Sequence, residues 1–529
     1  MPVFLGVARH LRSLHPVPTL SSTTIDHTPG PDVRDFPSEI ADTWRRLSVI
    51  DIGSNSVRLV VFEGLVRAPL PIFNERVLCG IGRDLAKTNL LHEGGVELAL
   101  STIERFVTIS GEICAGLPDA VATAAVREAH NGADFVRRIR ERCGLEVRVL
   151  SGTEEARLSA LGAMSAIPDA DGVMGDLGGG SLELVVLNAG EIGESVTLPL
   201  GALRLMGLSP QKQIEAIDHA IEGVPWLKDL KHRTIYAVGG AWRSLARIHM
   251  AQRDYPLRIV HQYQLSRSET NTLVGVISGL SPDSMSRIEG VNKRRLESLP
   301  GAAAVLSRLL RRVRPGKVMF LAGGLREGLL QENLPNHIRD EDPLISQCRA
   351  FAIRESRFGD VGDELARWMA PLFKGESELH GRLRLASCLV SDVAWRAHPS
   401  YRAAQAFEEV FRAPVVGVDH EGRAFMAISI YARYKGTADE PVTALASTLI
   451  DSSDAERAKL VGVCLRLGLT LSGGAAGLLS RTRLGRDDET VTLRMRREDA
   501  HLYIELIERR LASVARCLGL VPKFAYLDV

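Results

Sequence analysis

Val49-Ile50-Asp51-Ile52-Gly53-Ser54-Asn55-Ser56-Val57-Arg58-Leu59-Val60-Val61 returns in kind as Met174-Gly175-Asp176-Leu177-Gly178-Gly179-Gly180-Ser181-Leu182-Glu183-Leu184-Val185-Val186. Each copy is an apolar strand, an Asp, a tight turn of small residues and a second apolar strand, a pattern that predicts a β-hairpin with a tip of nearly bare backbone. Gly53, Ser54, Asn55 and Ser56 form one tip; Gly178, Gly179, Gly180 and Ser181 form the other. Glycine lets main-chain N–H groups point inward, serine hydroxyls add donors, and an Asp at the strand end can hold a divalent cation through water. A lone Asp-x-Gly turn says little. Two copies facing each other would grip a phosphate chain and its metal from both sides, with Asp51 and Asp176 as the metal pair.

Working outward, helical spacing over 96–114 and 133–143 alternates with strands at 120–124 and 147–150 around the first copy. Around the second, strands recur at 195–198, 234–238 and 318–322. Alternation in two halves predicts two α/β subdomains with a cleft between them. After about Pro335 the strand signal fades and helices take over, with 502–518 amphipathic. The expected division is a disordered extension over 1–45, subdomains over 46–158 and 159–335, and a helical domain over 336–529.

A chain of 529 residues exceeds one core. Its net charge of +1 gives no case for a nucleic-acid-binding or membrane-seeking surface, so a polyanion site must be a local patch. The seven cysteines include no Cys-x-x-Cys pair, which argues against a zinc or disulfide framework and fits a reducing cytoplasm. No apolar run approaches the roughly 18 residues of a membrane span.

The duplicated hairpin, together with Val126-Arg127-Glu128-Ala129-His130-Asn131, Ser151-Gly152-Thr153-Glu154-Glu155-Ala156-Arg157-Leu158 and Gly323-Gly324-Leu325-Arg326-Glu327-Gly328, resembles the exopolyphosphatase and guanosine pentaphosphate phosphohydrolase family over residues 46–529. The resemblance implies duplicated ribonuclease-H-like subdomains, as in actin, sugar kinases and heat-shock ATPases, followed by a mainly helical domain similar to the His-Asp metal phosphohydrolases. It also implies Mg²⁺-dependent hydrolysis of terminal phosphoanhydrides by a cytoplasmic homodimer. The substrate expected is inorganic polyphosphate, with guanosine pentaphosphate as the alternative. A non-catalytic actin-like regulatory protein is the competing class, and a kinase a third.

Hydrolysis needs charge neutralisation, an in-line water and a base beside it. Glu155 matches the family's catalytic glutamate; the alternative is a helix-capping acid. Glu183 matches a second acid at that site; the alternative is a solvated hairpin residue. Arg127 is a candidate phosphate clamp because its planar fork can bind two oxygens, against an ordinary surface Arg. Trp242, after Gly239-Gly240, is expected in the core. In the C-terminal segment Ser391 stands where a His-Asp doublet would place histidine, so a working binuclear metal site is not expected. Arg308, Arg311, Arg312, Arg314 and Lys317 at one helix end, and Arg494, Arg496 and Arg497, read either as a polyanion path or as solvated faces.

Overall fold

The structure, a computed structural model, describes residues 46–527 apart from 65, 115, 281–283, 285–292, 358–360 and 439–440. The extension expected over 1–45 lies outside the described residues.

Strands β1 (Leu47–Ile52), β2 (Val57–Phe62), β3 (Pro71–Val77), β4 (Asp119–Ala122) and β5 (Val147–Val149) form one sheet in the order β3-β2-β1-β4-β5. The first three are antiparallel neighbours, while β4 runs parallel to β1 and β5 parallel to β4. Strands β6 (Asp171–Leu177), β7 (Leu182–Asn188), β8 (Glu191–Leu198), β9 (Thr234–Val238), β10 (Tyr263–Ser266) and β11 (Lys317–Phe320) form a second sheet, β8-β7-β6-β9-β11-β10. This is the same order with one added edge strand. An antiparallel meander continued by parallel strands on the other side of its first strand is the ribonuclease-H-like topology, present twice.

The two hairpins are legible because β1 and β6 are central and buried on both faces, hence almost continuously apolar. Strand β3 is not expected from sequence: it is an exposed edge strand that starts on Pro71 and carries Asn74, Glu75 and Arg76. Lys317 lies in β11, not at the helix end, with its Nζ donating to Gln264 Oε1 at 2.9 Å.

Helix α1 (Ala124–Glu128) follows β4, and α2 (Gly152–Met164) wedges between the sheets. Ala156, Ala160 and Ala163 of α2 pack into the core of the second sheet, and Leu158 into that of the first. The expected boundary at 158/159 thus falls inside a helix that serves both halves. Helix α3 (Gly240–Gln252) carries Trp242, fully buried, its Nε1–H donating to Ala302 O at 2.9 Å, so the core reading holds. Helix α4 (Leu325–Asn333) meets α2 backbone to backbone: a Cβ on Gly162 would come within 2.0 Å of Gly324 O.

The C-terminal region is built on α5 (His420–Lys435) and the helix Ser452–Ser472. It is not all helical. β12 (Thr482–Arg486), β13 (Thr490–Met495) and β14 (Val521–Tyr526) make a three-stranded sheet. Strand β13 does alternate, with Val491, Leu493 and Met495 buried, but it is a six-residue run set among helices, and β12 and β14 carry Arg, Gly, Lys and Pro that mask a strand period. The last long helix begins at Glu505, later than expected, because Arg497–Leu502 forms a 3₁₀ turn. This region docks on the second sheet, where Tyr255 Oη donates to His420 Nδ1 at 2.9 Å. No helix among the described residues is long and apolar enough to cross a membrane.

Candidate active site

Both hairpin turns close with the same hydrogen bond, Gly53 N–H to Ser56 O and Gly178 N–H to Ser181 O, each 3.0 Å. The tips face each other. A Cβ on Gly179 would sit 3.2 Å from Ser54 Cβ, and one on Gly180 3.1 Å from Ser54 Oγ, so only residues without a Cβ permit this approach comfortably. Between them lies a pocket of about 200 Å³, lined by Asp51, Gly53, Ser54, Asn55, Ser56, Glu155, Asp176, Gly178, Gly179, Gly180, Ser181 and Glu183.

Arg127 differs from the clamp expectation. It does not line the pocket; its Nη1 donates to Leu150 O at 2.8 Å and to Glu155 Oε2 at 2.9 Å, bracing the carboxylate from behind. The physical reason is local: Arg127 sits in the last turn of α1, and its guanidinium meets the start of α2.

Glu155 sits in the first turn of α2, but the capping role belongs to Glu154, whose Oε2 accepts from Ser151 N at 2.9 Å in a reciprocal capping box. Burial pushes the Glu155 carboxyl up to about 7; Arg127 pulls against this, and the charges of Asp176 and Asp51 add to it. A base poised near neutrality is suited to take a proton from water. Glu183 is 1 % exposed, and burial, then the charges of Glu155 and Asp176, hold its carboxyl well above the ordinary range. Its Oε1 has no hydrogen-bond partner. Asp176 is raised by burial as well, and accepts from Ser159 Oγ at 2.7 Å. Asp51 accepts from Arg326 Nη1 at 2.7 Å.

Four arginines that sequence reasoning did not assign line the same pocket: Arg58, Arg76, Arg243 and Arg326. Burial and the Arg326 charge lower Arg58 and Arg243 to about 10 each. Register explains the division of charge, because Asp51 pairs with Arg58 across the first hairpin whereas Asp176 pairs with Glu183 across the second. The equivalent position is basic in one copy and acidic in the other. That comparison of the repeats was available in sequence and would have found Arg58; Arg76 lies on the unexpected β3.

A divalent cation fits the acidic side. Several carboxylates face one small space, they raise one another's proton affinity, and one oxygen is unpartnered. No group of three or more His, Cys, Asp and Glu forms a ready ligand set among the described residues. This suits Mg²⁺, which is often held by one or two carboxylates plus water and phosphate oxygens.

In the C-terminal segment the two candidate acids are engaged elsewhere. Asp392 is bound by Arg357 at 2.7 Å and Arg433 at 3.3 Å, and Asp419 Oδ1 caps α5 by accepting from Gly422 N at 2.9 Å. Of the basic clusters, Arg308 is paired with Asp218.

A model of the Ppx/GppA phosphatase family matches residues 60–337, and one described as Exopolyphosphatase, C-terminal matches 344–525. Retrograde regulation protein 2 of Saccharomyces cerevisiae is 27% identical over 452 residues, covering 74% of this chain and 73% of its own. Exopolyphosphatase 1 of Mycobacterium tuberculosis is 28% identical over 305 residues, covering 55% of this chain and 88% of its own. Among solved structures, an exopolyphosphatase from Cytophaga hutchinsonii aligns with TM-score 0.50 at 22% identity over 55% of this chain and 99% of its own, a likeness of fold. With the family model spanning more than half its length and both hairpins in place, the chain belongs to the Ppx/GppA phosphatase family.

Proposed function

We propose that this protein is an exopolyphosphatase that hydrolyses the terminal phosphoanhydride of inorganic polyphosphate and releases orthophosphate. One observation carries the reading: a single pocket between facing glycine-rich tips brings Glu155, Asp176 and Glu183 together with four arginines. That is the charge pattern a polyanionic substrate and a hydrolytic water require together.

In this mechanism the backbone N–H groups of the tips and the guanidinium groups of Arg58, Arg76, Arg243 and Arg326 hold the terminal phosphoryl oxygens. Glu155 accepts a proton from a water as that water's oxygen bonds to the terminal phosphorus, and the bridging oxygen leaves with the shortened chain. Arg127 keeps Glu155 aimed. Mg²⁺, held by Asp51 and Asp176, would supply neutralisation of the phosphate charge. Burial of the site keeps these interactions strong.

The division into 46–158, 159–335 and 336–529, with the first boundary inside the shared helix α2, a homodimeric state and a cytoplasmic location belong to the same proposal; the two sheets support the division, and seven cysteines without a disulfide support the location. The yeast relative's name is that of a regulatory protein. Against a catalytically silent regulatory protein stands the arrival of Glu155, Glu183, Asp51 and Asp176 together at the pocket. The test is Mg²⁺-dependent phosphate release, without an acceptor, from long polyphosphate, tripolyphosphate, guanosine pentaphosphate and ATP. Release from polyphosphate supports the proposal; turnover of the purine nucleotides alone would transfer it to guanosine pentaphosphate, and a need for an acceptor would point to a kinase.

A further inference from the structure

Behind the catalytic pocket, a larger cavity of about 470 Å³ lies between the two halves and the C-terminal region. The two spaces share Arg58, Arg243, Arg326 and Ala322 as a common wall. Seven arginines line the cavity against one acid, Glu327, whose carboxylate is already engaged with Gly324 N at 2.8 Å. Arg326 is paired with Asp51 and Arg412 with Glu408, and the other five arginines bring positive charge together in a space that favours an anion.

The hydrogen-bond inventory points the same way. His261 is 6 % exposed, and its Nδ1 accepts from Ala322 N at 3.3 Å. Burial lowers its pKa to about 3, so the ring is neutral and the remaining proton resides on Nε2. That Nε2–H has no acceptor among the described residues. Arg423, 1 % exposed, spends its terminal nitrogens on Ala413 O and Val415 O, and its Nε–H is likewise unpartnered, as is that of Arg326. Three orphaned donors line one cavity, and a buried donor without an acceptor loses its hydration with nothing in return. What is missing is an acceptor-rich, anionic ligand.

We propose that this cavity is a second phosphate-binding site, which receives the orthophosphate released in the catalytic pocket. The assignment to released product rests on the hydrolytic reading above; the affinity for a phosphate group does not. In it, His261 and Arg423 donate to the anion from the rear wall, and Arg326 sits between the two spaces, with Nη1 on Asp51 and Nε facing the cavity's ligand.

The test is calorimetric titration of the full-length protein with inorganic phosphate, which reads binding without turnover. The wild type is expected to take two phosphates. His261→Leu, which removes the donor, should weaken one site by about 10- to 100-fold and leave the other unchanged, the range for a hydrogen bond to a charged group. His261→Gln, which restores an N–H, should recover most of it. Should the buried leucine prevent folding, Arg247→Met offers an exposed alternative that removes a cation from the same wall and should weaken the same site several-fold. A single phosphate in the wild type, or two undisturbed phosphates in both His261→Leu and Arg247→Met, would overturn the proposal. Displacement of the second phosphate by saturating long polyphosphate on Glu155→Gln protein would show that a unit of the substrate chain fills the cavity, and would overturn the assignment to released product. Two phosphates bound by a protein that hydrolyses no polyphosphate would leave the site standing and remove the proposed function instead.

Discussion

Arg127 Nη1 donates to Glu155 Oε2 at 2.9 Å and to Leu150 O at 2.8 Å, so one guanidinium nitrogen ties the candidate base to the end of β5. Two opposed effects thereby set the proton affinity of Glu155: burial raises it, and Arg127 lowers it. Burial wins, leaving the carboxyl at about 7.

Removing Arg127 takes away the weaker of these two effects. Arg127→Met should raise the Glu155 pKa further. Activity needs the carboxylate, so it is lost as pH falls through that pKa, and the acid limb of kcat/KM, near 7 in the wild type, should move to higher pH. A phosphate clamp would instead raise KM with the limb unmoved.

The same shift has a consequence for stability. A carboxyl raised from 4.5 to about 7 destabilises the fold above pH 7, and the cost disappears below 4.5, where the group is protonated in both states. Glu155→Gln keeps the shape and an acceptor for Arg127 while removing the charge. It should therefore unfold at a higher temperature than the wild type at pH 8, by of order 1–3 kcal/mol, with the gain shrinking towards pH 5. An unchanged or growing gap at low pH would show that burial does not govern this group.

Much of the fold was legible because the central strands have to be apolar on both faces. The pairs Val49 with Ile50 and Val173 with Met174 announce two sheets, and the small residues after Asp51 and Asp176 announce the tips. Edge strands lack that constraint, which is why β3 and β10 were not read. The acids of the site were visible through the repeat and the resemblance. Arg76 and Arg243 were not, since an arginine within an edge strand or after Trp242 looks like any surface cation until tertiary folding turns it inward. Glu154 and Glu155 are separable in sequence as well, because Ser151-x-x-Glu154 is the capping-box spacing, and the structure forms that box with Glu154.

Asp176→Asn should raise the Mg²⁺ concentration needed for half-maximal activity, because it withdraws one negative charge from the space where the cation fits and leaves the Ser159 hydroxyl as a partner for the amide. Asp51→Asn should do the same, and should also free Arg326, which Asp51 holds at 2.7 Å. Chelation by EDTA should abolish activity of the wild type, with recovery on adding Mg²⁺. Metal dependence untouched by either substitution would break the two-hairpin account of the cation.

Asp392 gives a contrasting expectation. It is clasped by Arg357 and by Arg433, whose side chain is 10 % exposed, so Asp392→Ala leaves a buried cation without its acid. Loss of one partner of such a pair costs about 3–5 kcal/mol. The variant should melt well below the wild type while binding the same amount of metal, as measured by elemental analysis of the dialysed protein. Loss of a metal equivalent would instead reveal a centre in the C-terminal region.

The most direct test of the central claim is orthophosphate release from long polyphosphate, with Mg²⁺ and no acceptor, compared between the wild type and Glu155→Gln at saturating substrate. The account predicts steady release by the wild type and turnover lower by roughly 100-fold or more in the variant, the range supplied by a positioned general base, with polyphosphate still bound. Equal turnover in the two proteins would contradict it, as would a wild type that binds polyphosphate and releases none.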